Sequence, residues 1–246
     1  MMKWTIAHRG SSGTYPENTK SAFLEALRIG VDAIELDVQL TKDNEIVVHH
    51  DATLIRTGKK WSLIKKNTVQ QLKKLNFGNK KVPEQILTLK EALELIGDKC
   101  NVLIEPKETF FNHERLIVEE VNQFKHKNKL WMHSRDWRII RNIRKCDPNI
   151  KMGFIDIIPT FHILNIRRYL NLAKKYDISF FSLHHFFINR YFLNSYIKKL
   201  RRNSIESYVW VVNNEKDMRK IISWQADAVI TNYPSKFKKI LQETKI

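Results

Sequence analysis

Short apolar runs of four to seven residues alternate along this chain with stretches of helical periodicity, and that alternation restricts the fold more than any other feature. A strand followed each time by an amphipathic helix meets the next strand in parallel, through a crossover that covers the sheet. Eight such units can be counted. The strand candidates are Thr5–Arg9, Ala33–Val38, Asn101–Pro106, Leu130–Ser134, Lys151–Ile155, Ile178–Leu183, Glu206–Val212 and Ala228–Thr231. Helical patterns follow at Asn18–Leu27, Thr88–Ile96, Glu114–Lys125, Asp136–Lys145, Phe161–Lys174, Arg190–Arg202, Glu215–Trp224 and Ser235–Gln242. Eight units in about 250 residues fit a closed barrel, whereas an open doubly wound sheet usually needs fewer. The expected fold is α/β, a single (β/α)8 (TIM) barrel occupying residues 1–246 as one domain.

One segment interrupts the alternation. Asp43-Asn44 makes a turn, Glu45–His50 reads as an extra strand, and residues 51–86 stand between it and the next helix. Within them, Trp61-Ser62-Leu63-Ile64 and the run Val69–Leu75 suggest an excursion carrying a short helix near the barrel mouth. It is too short for a core of its own and reads as an insertion.

Lysine and arginine outnumber aspartate and glutamate by 43 to 26, for a net charge of +17, which favours anionic partners. Much of the excess lies in separate pairs such as Lys59-Lys60, Lys65-Lys66, Lys80-Lys81 and Arg201-Arg202. With neither a basic tail nor a stripe interleaved with aromatics, a solvated lysine surface is expected, without nucleic acid as partner. Peripheral contact with an anionic membrane stays open. Cys100 and Cys146 have no paired spacing, so no disulfide framework or zinc knuckle is suggested. The amino-terminal residues run directly into the first strand candidate without a leader-like segment, and no apolar stretch approaches the ~20 residues that span a bilayer. A soluble, cytoplasmic chain is the expectation.

In barrels of this class the chemistry gathers where strands end and loops toward helices begin. Glu35 and Asp37, one residue apart on a strand, share a face while Leu36 takes the other. Two carboxylates in a dehydrated interior repel unless a cation or several donors stand between them, and a hard divalent ion such as magnesium or calcium suits oxygen ligands. Salt bridges to Lys or Arg are the alternative. Glu105, ending the next barrel strand, offers a third oxygen, and Lys107 shares its face, as a phosphate contact or as an ordinary partner of Glu105. His8 and His50 close two strands and are suited to divide the acid and base roles. His49, pointing the other way, is expected to pack. Arg9 offers a planar fork for phosphate oxygens, with a bond to Glu17 or Glu35 as the alternative.

These residues fall within blocks that resemble the glycerophosphodiester phosphodiesterases. The resemblance runs through Ala7-His8-Arg9-Gly10, Tyr15-Pro16-Glu17-Asn18-Thr19, Gly30 to Val38, Val47-Val48-His49-His50-Asp51, Ile104-Glu105-Pro106-Lys107, Val209 to Asn213 and Ile230-Thr231-Asn232-Tyr233-Pro234, in family order. It implies hydrolysis of glycerophosphodiesters to sn-glycerol 3-phosphate and an alcohol, with one divalent cation, calcium or magnesium. In that reading Glu35, Asp37 and Glu105 hold the metal, His8 and His50 form the acid and base pair, and Arg9 and Lys107 contact the phosphate. Trp210 lines the substrate pocket or simply packs. Asn44 replaces a usual glycine, and Asn tolerates the positive φ of a turn. Asn232 replaces a usual aspartate and is expected to alter a hydrogen bond at the last strand. His184 and His185 follow the sixth strand as further pocket or packing candidates. Two rivals accompany this reading: a related phospholipase D-like lyase that forms a cyclic phosphate, and a noncatalytic protein that binds anionic ligands.

Overall fold

The computed structural model describes residues 4–107, 113–157, 165–185 and 190–244. Its strands are β1 (Trp4–His8), β2 (Ala33–Leu40), β3 (Ile46–Val48), β4 (Asn101–Pro106), β5 (Leu130–Ser134), β6 (Lys151–Asp156), β7 (Ile178–His184), β8 (Glu206–Trp210) and β9 (Ala228–Thr231). All but β3 are parallel, and β1 pairs with both β9 and β2, so eight strands close into the expected barrel. β3 lies antiparallel on the end of β2, joined by a turn in which Asn44 takes φ 62°.

The helices are α1 (Lys20–Ile29), α2 (Val69–Lys73), α3 (Leu89–Ile96), α4 (His113–Gln123), α5 (Trp137–Cys146), α6 (Ile166–Lys175), α7 (Arg190–Arg202), α8 (Glu215–Ser223) and α9 (Pro234–Thr244). Of the helix expected over Phe161–Lys174, residues 161–164 lie outside the described residues. Local chemistry starts these helices where it should. Thr19 accepts from the Ala22 amide, and Thr88 forms a reciprocal capping box with Glu91, each cap stabilising its helix by about 1 kcal/mol.

Strand periodicity divides the apolar residues into two layers. Ile34, Leu36, Val38, Val102, Ile104, Met132, Phe181 and Val209 face outward into the core beneath the helices. Ile6, Ala33, Leu103, Trp131, Phe180, Tyr208, Ala228 and Ile230 fill the barrel interior. The two sets alternate along each strand, so consecutive residues belong to opposite layers. At the amino-terminal end of the strands, Trp4 meets Trp131 edge-on at 5.2 Å and Phe180 stacks on Tyr208 at 4.3 Å. Gly153 permits this floor, because a Cβ there would lie 2.1 Å from the Phe180 ring.

Residues 51–86 pack Leu54, Ile64, Leu72, Phe77 and Ile86 against Val47 of β3. The short helix expected at Val69–Leu75 is α2, started by a Thr68 and Gln71 capping box. Several boundaries shift by a residue or two from the sequence reading, and two of the shifts bear on candidate residues. β3 stops at Val48, leaving His50 two residues beyond it, and β8 stops at Trp210. Among the described residues no helix is long and apolar enough to cross a membrane.

Candidate active site

Register assembles the acids. Across β1 and β2, His8 is the Cα partner of Glu35, and across β2 and β4, Asp37 is the partner of Glu105. Because all four are inward positions of neighbouring strands, they form one cluster at the carboxy-terminal mouth. A sharp reversal follows β1, with Arg9 at φ 56° and Gly10 at φ 79°. A Cβ on Gly10 would stand 2.7 Å from the Ala22 backbone, so glycine alone lets the chain turn this closely. The turn directs the Arg9 amide onto Glu35 Oε2 at 3.0 Å.

Asp37 is fully buried and surrounded by donors. Lys107 Nζ lies 2.8 Å from Asp37 Oδ1 and 2.7 Å from Glu105 Oε1, so one ammonium bridges two carboxylates. Arg9 Nε lies 3.0 Å from Asp37 Oδ2, and Asn18 donates to the same oxygen at 2.9 Å. Arg9 also bonds Glu17 at 2.9 Å, which realises its expected alternative in part. Burial opposes ionisation of Asp37, yet Lys107 and Arg9 outweigh it and hold the carboxyl well below its usual range. Glu35 has the opposite balance: burial and the neighbouring Asp37 raise it well above that range. Burial raises Glu105 as well. These acids therefore keep protons at pH values where an exposed glutamate has lost its own.

The two histidines are held differently. His8 Nδ1 bonds Asn232 Oδ1 at 2.7 Å, leaving Nε2 on the side of Glu35 Oε2, 3.9 Å away. Burial, with Arg9 adding repulsion, lowers its pKa to about 4. His50 Nδ1 lies 2.6 Å from Asp51 Oδ1, and Arg56 fixes Asp51 from the far side at 2.7 Å. One ring thus faces a neutral amide oxygen and the other a carboxylate. His49 packs as expected, buried between the Asp51 carbonyl and the Thr57 hydroxyl and edge-on to Phe77.

A cavity of about 910 Å³ opens above the cluster, and His8, Arg9, Glu35, His50, Glu105, Lys107 and Trp210 all line it. Asp37 is set behind them. Trp210 is anchored by its Nε1 donating to the Ser182 carbonyl at 2.9 Å, so its ring is a fixed wall. Ile155, Ile230 and Trp137 continue that wall, while Arg135 and Asp136 stand at its rim. His184 lies edge-on to Trp210, and His185 receives no direct place in the cavity lining.

The sequence profile described as the glycerophosphoryl diester phosphodiesterase family matches residues 8–236. The chain belongs to that family. A glycerophosphodiester phosphodiesterase of Caldanaerobacter subterraneus subsp. tengcongensis is 32% identical over 245 residues, covering 95% of this chain and 96% of the relative. Among solved structures, a phosphodiesterase from Oleispira antarctica in complex with the product sn-glycerol-3-phosphate has a TM-score of 0.87 at 26% identity, covering 98% of this chain and 97% of that one. The Thermotoga maritima glycerophosphodiester phosphodiesterase has a TM-score of 0.81 at 28% identity, covering 98% and 99%. Family membership makes this chain a phosphoric diester hydrolase, and the acids, histidines and cations gathered at one barrel end are its candidate active site.

Two residues of this phosphodiesterase site escaped the sequence reading. His133 is the last inward-facing residue of β5, one before its end, and its Nε2 lies 4.0 Å from Glu35 Oε1 without a hydrogen-bond partner among the described residues. Burial, with Lys107 nearby, lowers its pKa to about 3. Donor atoms of Glu35, Glu105 and His133 all lie within 4.8 Å of one another, the spacing of a metal-binding group. The strand-end rule applied to β5 would have found it. Asn232 was read as a change at the last strand; its partner is His8, across the seam that closes the barrel.

Proposed function

We propose that this phosphodiesterase cleaves glycerophosphodiesters to sn-glycerol 3-phosphate and an alcohol with the help of a divalent cation, His8 and His50 dividing the proton transfers. The observation that carries the reading is Lys107 bridging Asp37 and Glu105 beside a nearly buried Glu35. Three acids converge here, and the ammonium of Lys107 with the guanidinium of Arg9, itself shared with Glu17, meets their charge only in part.

The donor set fits such an ion. Glu35, Asp37 and Glu105 are the residues that would hold it, since carboxylate oxygens match calcium or magnesium. His133 adds one nitrogen at the edge, beside Glu35. A bound divalent cation polarises a non-bridging phosphoryl oxygen and lowers the pKa of a hydroxyl at its side. Lys107 and Arg9 line the cavity and would stabilise the charge that grows on the phosphate during displacement.

The hydrogen bonds of the two histidines support different roles for them. His8 is neutral at physiological pH and its Nδ1 is engaged by Asn232, so Nε2 is the position that accepts a proton from the attacking hydroxyl. His50, oriented by the carboxylate of Asp51, is the ring assigned to deliver a proton to the departing alkoxide. Trp210 and the isoleucines beside it orient the substrate's carbon skeleton.

The test is turnover of glycerophosphocholine, glycerophosphoethanolamine and glycerophosphoglycerol with calcium, magnesium or chelator, alongside Glu35→Gln. Chelation and the substitution are each expected to abolish product formation. Undiminished turnover in both would overturn the reading. Phosphorus NMR during the reaction separates attack by water from attack by the substrate's own hydroxyl, because only the second passes through a cyclic phosphate; a cyclic end product would assign the lyase.

A further inference from the structure

The insertion carries a feature that the reaction does not use. Thr53 pairs with Leu63 in an isolated antiparallel bridge, and the Leu54 amide donates to the Ser62 carbonyl at 2.9 Å. The Lys60 amide donates to the Leu54 carbonyl at 3.3 Å and closes the hairpin, with Ile55 in its turn and Trp61 on its returning arm. Both are exposed, Ile55 by 43% and Trp61 by 90%, although five large apolar residues in all are so exposed among those described. A nearly bare indole and a partly exposed isoleucine on one hairpin carry a hydration cost.

Charge surrounds them. Residues 51–86 hold eight lysines and Arg56 against only Asp51 and Glu84, so this one segment carries seven of the seventeen net positive charges. Its two acids are turned inward: Asp51 bonds His50 and Arg56, and Glu84 accepts from the Ser21 amide and hydroxyl. Lys59, Lys60 and Lys66 are exposed around the hairpin. Two of the basic pairs, Lys59-Lys60 and Lys65-Lys66, therefore fall in or beside this hairpin. The stem of the same hairpin reaches the cavity, which Ala52 and Thr53 line, so the lip is continuous with the mouth of the active site.

We propose that the 53–63 hairpin is a docking lip for anionic lipid bilayers, Trp61 and Ile55 entering the headgroup region while Lys59, Lys60 and Lys66 rest on acidic headgroups. Tryptophan favours that interface because its ring is apolar and its N–H finds a partner there. Lysines near an anionic leaflet each contribute roughly 1 kcal/mol, an attraction that salt screens. A nucleic-acid surface would instead call for several aromatics along a basic groove, and this hairpin has one. The proposal does not rest on the hydrolytic reading, and its test needs no turnover.

Sedimentation of the full chain with vesicles decides it. Binding to phosphatidylcholine vesicles containing phosphatidylglycerol is expected, with little to phosphatidylcholine alone and release at high salt. Trp61→Ala should weaken the partition on the order of tenfold if the ring buries about 60 Å² of apolar surface. Charge reversal at Lys59, Lys60 and Lys66 together should weaken it by on the order of a hundredfold or more. Both variants should keep the wild-type melting temperature and the turnover of soluble glycerophosphocholine. Equal vesicle binding by wild type and Trp61→Ala would overturn the proposal. So would failure to bind anionic vesicles, or retention on an oligonucleotide alone.

Discussion

Each end of the barrel holds a half-buried lysine, and the two are treated in opposite ways. At the floor, Lys151 Nζ lies 4.2 Å from the centroid of the Trp131 ring and bonds Glu206 and the Tyr208 hydroxyl at 2.8 and 3.2 Å. Its charge meets one carboxylate and the faces of aromatic rings, an arrangement complete in itself. At the mouth, Lys107 is shared by two carboxylates, while a third, Glu35, is lifted toward protonation beside an imidazole nitrogen that has no partner among the described residues. Buried polar groups normally find partners, so the floor reads as structure and the mouth as a place prepared for something the protein alone does not provide.

The comparison breaks most visibly under substitution at the mouth. His8→Ala or His50→Ala should lower kcat about 10²- to 10⁴-fold with little change in melting temperature, read from steady-state kinetics and calorimetry. Loss of stability with retained kcat would reverse the assignment. Next in size, Trp131→Ala at the floor should cost about 3–5 kcal/mol in denaturant unfolding, by leaving a cavity among packed rings, while activity below the melting transition persists. Lys151→Met, which keeps the stem over the rings and removes the charge, should cost roughly 1–2 kcal/mol because Glu206 loses its cation. Here too kcat should hold. The smallest effect expected is at Asn232, where Ala should lower kcat by about tenfold at unchanged KM, since the ring of His8 loses its orienting partner but not its reach.

Much of this was legible in the sequence, for a physical reason. A strand fixes the facing of alternate residues, so Glu35 and Asp37 could be assigned to one side before any strand was placed, and a barrel fixes which end carries chemistry. The order of motifs then named the family. What escaped were contacts that depend on closure and register. Asn232 and His8 are 224 positions apart and meet only because β9 returns to β1. His133 reaches Glu35 across β4, a relation set by strand order that no local pattern announces. Asp37 was expected to point into the barrel, and it does; the sequence did not show that Lys107, Arg9 and Asn18 would enclose it together. The pairing of Thr53 with Leu63 has no periodic signature either, so the hairpin that raises Trp61 could not be drawn from residues 51–86.

The central claim, that the acids at the mouth converge on a divalent cation, is tested most directly by calorimetric titration of calcium or magnesium into chelator-treated protein. Burial raises Glu35 and Glu105, so both retain protons above the usual glutamate range, and an arriving cation must displace them. The account predicts a single site, release of protons detected by repeating the titration in buffers of different ionisation enthalpy, affinity that climbs with pH, and loss of the whole signal in Glu35→Gln. A flat titration of the wild-type chain, or an isotherm indifferent to that substitution, would contradict it.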